Sequence, residues 1–233
     1  MIRMLKGERP HYSYKIGCVI LMAIIFLIGK EDSVMAKTKE IQLPQPLTKG
    51  KLSLEETIAG RRSQRNFRDK NLSLEQISQI LWAAQGITGK SGGFSFRAAP
   101  SAGALYPMEI YLLTPEGLYH YFPETHRLEV LGEKDLRRGL AESALGQEAV
   151  ARAPLDIVIC SVYERVKVKY GERGIRYAHI EAGHIAQNIH LEAVALGLGS
   201  VPIGAFNDKA VKEYLLLPAD CEPLYIIPVG YPE

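Results

Sequence analysis

Cysteine is scarce in this chain: three in 233 residues, at positions 18, 160 and 221, with no Cys-x-x-Cys pair. Three dispersed thiols build neither a disulfide framework nor a zinc ribbon. Cys160 lies in an apolar run, 155–162, that suits a buried strand, and Cys221 is expected in a loop. Histidine is equally sparse. His179 and His184 stand five apart rather than the four that align two ligands on one helix face, so no metal site is expected. Tryptophan occurs once, at Trp82, beside an apolar helical stripe where it reads as core. No internal repeat is visible.

An excess of one charge sign is also missing. The formal net charge is +2, and the first 36 residues, with five basic and three acidic side chains, account for all of it. The body is neutral and has no basic stripe, which argues against nucleic-acid binding. Apolar residues make up 47% and charged residues 23%, the balance of an ordinary globular domain with ample core.

Long hydrophobic runs are limited to one, Ile16–Gly29, fourteen residues without a charge. A membrane span wants about twenty. With basic residues before it and Val34-Met35-Ala36 after it, residues 1–36 are expected to be a signal peptide or an N-terminal membrane anchor. The protein would then be exported or membrane-anchored, and cytoplasmic if the segment is not used. Residues 37–52, with Pro44 and Pro46, read as a linker, and residues 53–233 as the folded domain.

What is present begins with two capping boxes, Ser53…Glu56 and Ser73…Gln76, each opening a helix. Leu54, Ile58 and Ala59 give the first a short apolar side; Leu74, Ile77, Ile80, Leu81 and Ala84 give the second a longer one. Residues 87–96 are rich in glycine and serine and read as a mobile loop. Strands are expected at 108–114, 118–122 and 128–131, with a turn at 123–126, then at 155–162 and 224–230. Helices are expected at 135–151 and 178–198. Strands alternating with helices imply an α+β sandwich with a mixed sheet at its centre.

Between the first two helices stand Arg61, Arg62, Ser63 and Arg65. Three rigid guanidinium forks and a hydroxyl suit the oxygens of one phosphate group. For an isolated cluster the plain alternative is a solvated helix end. Residues 99–107, Ala-Pro-Ser-Ala-Gly-Ala-Leu-Tyr-Pro, combine small side chains with two prolines. Such a stretch either lets backbone amides approach a flat ligand or forms a tight structural turn.

Taken together, several motifs resemble the FMN-dependent nitroreductase superfamily, and within it the SagB-type, McbC-like branch of azoline-oxidising dehydrogenases. They are RRSQRNF at 61–67, ILWAAQGIT at 80–88, APSAGALYP at 99–107, KYGERGIRY at 169–177, EAGHIAQN at 181–188 and GLGSVPIGAF at 197–206, in the family's order. The resemblance implies a nitroreductase-like α/β/α sandwich and a homodimer with FMN at the subunit interface. Arg61, Arg62, Ser63 and Arg65 would grip the FMN phosphate and ribityl chain. Pro100, Ser101, Ala102 and Gly103 would meet the flavin from the other subunit. Pro202, Ile203, Gly204 and Ala205 would run along the isoalloxazine edge, with Gln147 as a further polar contact. Lys169 and Tyr170 match the pair tied to the dehydrogenase branch's chemistry.

The implied activity is hydride transfer through flavin N5, to or from a small molecule or an azoline-bearing peptide, with NAD(P)H as a further electron donor. Alternatives are an NAD(P)H-dependent nitro or quinone reductase, a flavin-binding protein without turnover, and a cofactor-free dimeric scaffold. One departure concerns the phosphate. Many relatives carry a basic residue after the last strand, where this sequence has Tyr231-Pro232-Glu233, which places more weight on residues 61–65.

Overall fold

The computed structural model describes residues 39–233. The signal-peptide or anchor segment and the cleavage motif at 34–36 lie outside the described residues. Among those described, no helix is long and apolar enough to cross a membrane.

The centre of the fold is a seven-stranded sheet. Its strands are β1 (Glu40–Gln42), β4 (Met108–Thr114), β5 (Gly117–Phe122), β6 (Arg127–Gly132), β7 (Leu155–Val162), β8 (Gly199–Ser200) and β9 (Cys221–Gly230), in the spatial order β1-β6-β5-β4-β7-β9-β8. Every ladder in it is antiparallel; its parallel element is a single bridge, Ser63 to Ser200. The central strands are covered on both faces, so they read as continuous apolar runs rather than alternating ones. All eight residues of β7 are buried.

Alternation along the strands divides the core in two. Ile110 and Leu112 of β4, with Ile157 and Ile159 of β7, point to one side. There they meet Ile80, Leu81 and Ala84 of helix α2 (Leu74–Gln85) and Ile185 and Ile189 of helix α6 (Arg173–Ala195). Tyr111, Leu113, Val158 and Cys160 point to the other side. They pack on Leu140 of α3 (Arg137–Ser143), Val150 of α4 (Glu148–Arg152) and Val211 of α7 (Asp208–Tyr214). The result is the expected α/β/α sandwich. Each fully buried Leu or Ile contributes roughly 1.5–3 kcal/mol.

Both capping boxes form. In α1 (Leu54–Gly60) Ser53 Oγ accepts from Glu56 N–H at 3.1 Å, and Glu56 Oε2 accepts from Ser53 N–H at 2.6 Å. In α2 the same exchange joins Ser73 and Gln76. The side of α1 that is buried differs from expectation: Thr57 is buried, while Leu54 and Ile58 are 61% and 55% exposed. The apolar side of this helix faces outward.

Five further expectations are corrected. Residues 87–97 are not a mobile loop but a hairpin, β2 (Ile87–Ser91) and β3 (Phe94–Arg97), turning at Gly92 and Gly93, both at positive φ. The single helix expected at 135–151 is two, because Leu145 and Gly146 both adopt positive φ between α3 and α4. Cys221 is no loop residue; it starts β9 and is fully buried. The long helix begins at Arg173, not Ala178, directly after α5 (Glu164–Tyr170) and a left-handed Gly171. Within the stretch read as a linker, residues 40–42 pair with β6 and Leu43 is buried.

Candidate functional site

The arginine cluster starts where α1 stops. Arg61 caps the helix in an extended conformation, its N–H donating to the Thr57 carbonyl at 3.0 Å. The chain then runs beside β8: Ser63 bridges to Ser200, and Gln64 N–H donates to the Ser200 carbonyl at 3.0 Å. Arg62 turns back on the helix end, with Nη1 donating to the Ala59 and Arg61 carbonyls at 3.0 and 2.7 Å. That satisfies carbonyls a helix C-terminus leaves open. Arg61 and Arg65 have no carboxylate partner among the described residues.

Beneath the cluster lies His190 of α6, a residue the sequence reading passed over. Its Nδ1 is 2.7 Å from Ser200 Oγ, and its Nε2 is buried with no partner among the described residues. Burial, and then the charge of Arg61, push its pKa down to about 4. A neutral imidazole therefore sits next to the guanidinium at pH 7, and the cluster's positive charge stays on the arginines.

The 202–205 turn continues from β8. Ile203 and Ile226 exchange backbone hydrogen bonds at 2.9 and 3.0 Å, which anchors the turn to the sheet. Gln147, at the mouth of α4, donates from Nε2 to the Ala205 carbonyl at 2.8 Å and the Ala144 carbonyl at 2.9 Å. Two motifs far apart in sequence thus meet through one side chain. Pro202, Gly204 and Ala205 are left on the open side of the turn.

The second group forms around the loop at Pro100–Pro107. Ser101 Oγ accepts from Tyr106 N–H at 2.9 Å. Gly103 has φ +63, and a Cβ there would stand 2.8 Å from the Tyr170 hydroxyl and 3.0 Å from Lys169 Nζ. The missing side chain is the space into which the Lys169–Tyr170 pair reaches. Lys169 Nζ lies 5.4 Å from the centre of the Tyr170 ring, and Tyr170 meets Tyr177 edge-on at 5.1 Å.

The two groups rest on opposite edges of α6. Glu181 faces the Ser101 loop and His190 faces Ser200. Nine residues separate them, about two and a half turns and ~14 Å along the axis. One helix carries both groups, on different sides.

His179 Nε2 is 2.7 Å from the Tyr163 hydroxyl, Glu181 faces Gln85, and His184 is exposed.

The donor set fits a phosphate-bearing planar cofactor: two guanidiniums without carboxylate partners beside a serine, a turn with an open peptide edge, and a glycine cradle.

Comparison with known proteins gives the same picture. The model of the "Nitroreductase family" matches residues 58–231. A Methanocaldococcus jannaschii protein with a provisional nitroreductase name is 42% identical over 202 residues, spanning 84% of this chain and 98% of that protein. The microcin B17-processing protein McbC of Escherichia coli is 31% identical over 166 residues, 65% of this chain. FMN reductase [NAD(P)H] of Bacillus subtilis is 24% identical over 190 residues, 76% of this chain. The chain spans 60% and 64% of the length of these last two. Among solved structures, a provisional nitroreductase of Ralstonia eutropha superposes with a TM-score of 0.75 at 34% identity, covering 83% of this chain and 90% of that one. With a family match over three-quarters of its length and the sandwich that the match demands, this chain belongs to the nitroreductase family of oxidoreductases.

Proposed function

We propose that the protein is an FMN-dependent oxidoreductase whose Lys169–Tyr170 pair handles a proton of the substrate while hydride passes by way of the flavin. The observation that carries this reading is the reach of both side chains into the space left by Gly103, in the loop whose motif matches a flavin contact. The bound flavin supplies the two-electron chemistry. The chain supplies the rest. Arg61, Arg65 and Ser63 hold the phosphate, with Arg62 fixing the end of α1 beneath them. Peptide groups of Pro202–Ala205, steadied by Gln147, border the ring, and Pro100–Gly103 close over it.

The finer reading is SagB-type oxidation of an azoline. Removing a hydride from such a ring requires that a proton leave the neighbouring carbon, and Lys169 with Tyr170 is the pair placed to receive it. Similarity to the microcin B17-processing protein supports this branch. Similarity over nearly the whole of the Methanocaldococcus protein, and to an FMN reductase [NAD(P)H], supports the opposite direction, in which NAD(P)H feeds electrons to a nitro or quinone acceptor. An azoline-bearing peptide and NAD(P)H, offered separately to the FMN-loaded protein without an acceptor, tell the two apart by which one bleaches the flavin.

A homodimer completes the site in this reading. The two groups on α6 lie on different sides, so each is to be completed by the partner's other group. The outward apolar side of α1 supports a covered surface there. Beside it lies a groove of about 970 Å³ in which Leu52, Leu54 and Trp82 alternate with charged residues such as Lys49, Lys51 and Glu192. The loss of dimer in a variant with Ile58→Lys, read by sedimentation, tests it.

A further inference from the structure

Glu181 is 1% exposed, in the middle of a 23-residue helix, and none of the chemistry above uses it. Its Oε1 accepts from Gln85 Nε2 at 3.4 Å, and its Oε2 is buried with no hydrogen-bond partner among the described residues. Gln85 in turn accepts from Arg97 Nη1 at 3.1 Å. Arg97 lies 4.4 Å from the centre of the Tyr106 ring, and its backbone N–H donates to the Tyr106 hydroxyl at 3.3 Å. Tyr106 N–H donates to Ser101 Oγ, and the Ser101 hydroxyl faces Glu181 again. The chain of contacts runs Glu181, Gln85, Arg97, Tyr106, Ser101, and its two ends face each other.

What this chain of contacts holds is strained. Gly103, Ala104 and Tyr106 all have positive φ, at 63, 54 and 45°. For the two that are not glycine this costs on the order of 1–3 kcal/mol each, and such conformations persist only where the surroundings over-determine them. The strained residues belong to the loop assigned to the flavin.

We propose that Glu181 is a positioning residue: through Ser101 it sets the shape of the Pro100–Pro107 loop, and by gaining or losing a proton it tunes how well that loop accepts FMN. The proposal rests on the flavin reading above. When ionised, the carboxylate draws the Ser101 hydroxyl and the Gln85 amide toward it, and the loop is ordered before the ligand arrives. When protonated, it needs neither donor, and the loop pays its ordering cost on binding. Burial raises the Glu181 pKa to about 7, against the smaller pull of Ser101, Gln85 and Arg97. Among the described residues, the one charged group facing it is Arg97 from the end of β3; Gln85 of α2 and Ser101 are neutral. Glu109 of β4 and Glu124 of the β5–β6 turn act on Arg97 rather than on Glu181 directly.

The test is the dissociation constant of FMN for the full chain, from flavin fluorescence, between pH 5.5 and 8.5. The wild type is expected to bind roughly tenfold tighter at the alkaline end than Glu181→Gln does over the same span, the effect of a one-unit pKa change on binding. The titration of the FMN phosphate is common to both proteins and cancels in the ratio. Parallel profiles for wild type and Glu181→Gln overturn the inference and leave the flavin reading standing. A wild type that binds no FMN overturns both. If Glu181→Gln does not fold, Ser101→Ala decides: loss of a donor to the carboxylate moves the midpoint to higher pH, and an unmoved midpoint overturns the inference.

Discussion

His190 Nδ1 stands 2.7 Å from Ser200 Oγ, inside the core and directly under the arginine cluster. Its pKa is depressed to about 4, from the ordinary 6.5, so unfolding at acid pH is driven by the proton that the unfolded imidazole takes up first. The stability from this group is complete above pH 6.5 and is lost as pH falls toward 4. The shift is worth on the order of 3 kcal/mol. His190→Gln is expected to remove that part of the acid sensitivity, seen as a smaller fall in urea midpoint between pH 7 and pH 4.5.

Glu181 has the opposite sign. Its pKa is raised to about 7, so the folded state favours the neutral acid. The contribution is complete below pH 4.5 and is lost as pH rises through 7. Between pH 4.5 and 6.5 the two groups therefore offset one another in the wild type. Glu181→Gln keeps the neutral form at every pH. It is expected to be more stable than wild type at pH 8, by up to about 3 kcal/mol, with no advantage at pH 4.5; thermal melts at the two pH values check it.

Gly103→Ala is expected to leave a folded protein, because the atoms its methyl meets are the ends of the Tyr170 and Lys169 side chains rather than backbone. The alanine must keep a left-handed φ, which costs about 1 kcal/mol. The pair must also leave the cradle. Turnover should fall at least tenfold while FMN affinity changes far less, and separate measurement of the two shows whether the glycine serves the pair.

Arg61→Ala with Arg65→Ala removes two guanidiniums of the cluster that have no carboxylate partner among the described residues. FMN binding should weaken by roughly 3 kcal/mol, two charge-assisted contacts, while riboflavin, which has no phosphate, binds the variant and the wild type alike. Equal FMN affinity in variant and wild type would remove the phosphate from this cluster.

How much of this was legible in the sequence depends on how local each signal was. The capping boxes at Ser53 and Ser73 are three-residue patterns and form as read. Strand β7 was read to the residue, because an apolar run between Pro154 and Tyr163 admits little else once both of its faces are buried. The 87–97 hairpin was missed although Phe94-Ser95-Phe96-Arg97 alternates beside Gly92-Gly93; composition outweighed period. The break at Leu145–Gly146 was missed because a lone glycine is tolerated within a helical pattern, and Leu145 gives no warning of a positive φ. The site residues came from motifs, and the structure joins them in pairs: Ser63 to Ser200, Gln147 to Ala205, Gly103 to Tyr170. Glu181 had only its place at the head of the 181–188 motif, and His190 had no local signal at all. Their surroundings come from Gln85, Arg97 and Ser101 in one case and from Arg61 and Ser200 in the other, elements brought together only by folding.

The most direct test of the account is the visible spectrum of the purified protein with FMN, followed without air while electron donors are added in turn. Bound flavin that bleaches with an azoline-bearing peptide or with NAD(P)H, regains its colour with an acceptor, and bleaches far more slowly with the azoline in Lys169→Ala is the predicted result. A protein that takes up no FMN, or a Lys169→Ala variant that oxidises the azoline at the wild-type rate, would contradict it.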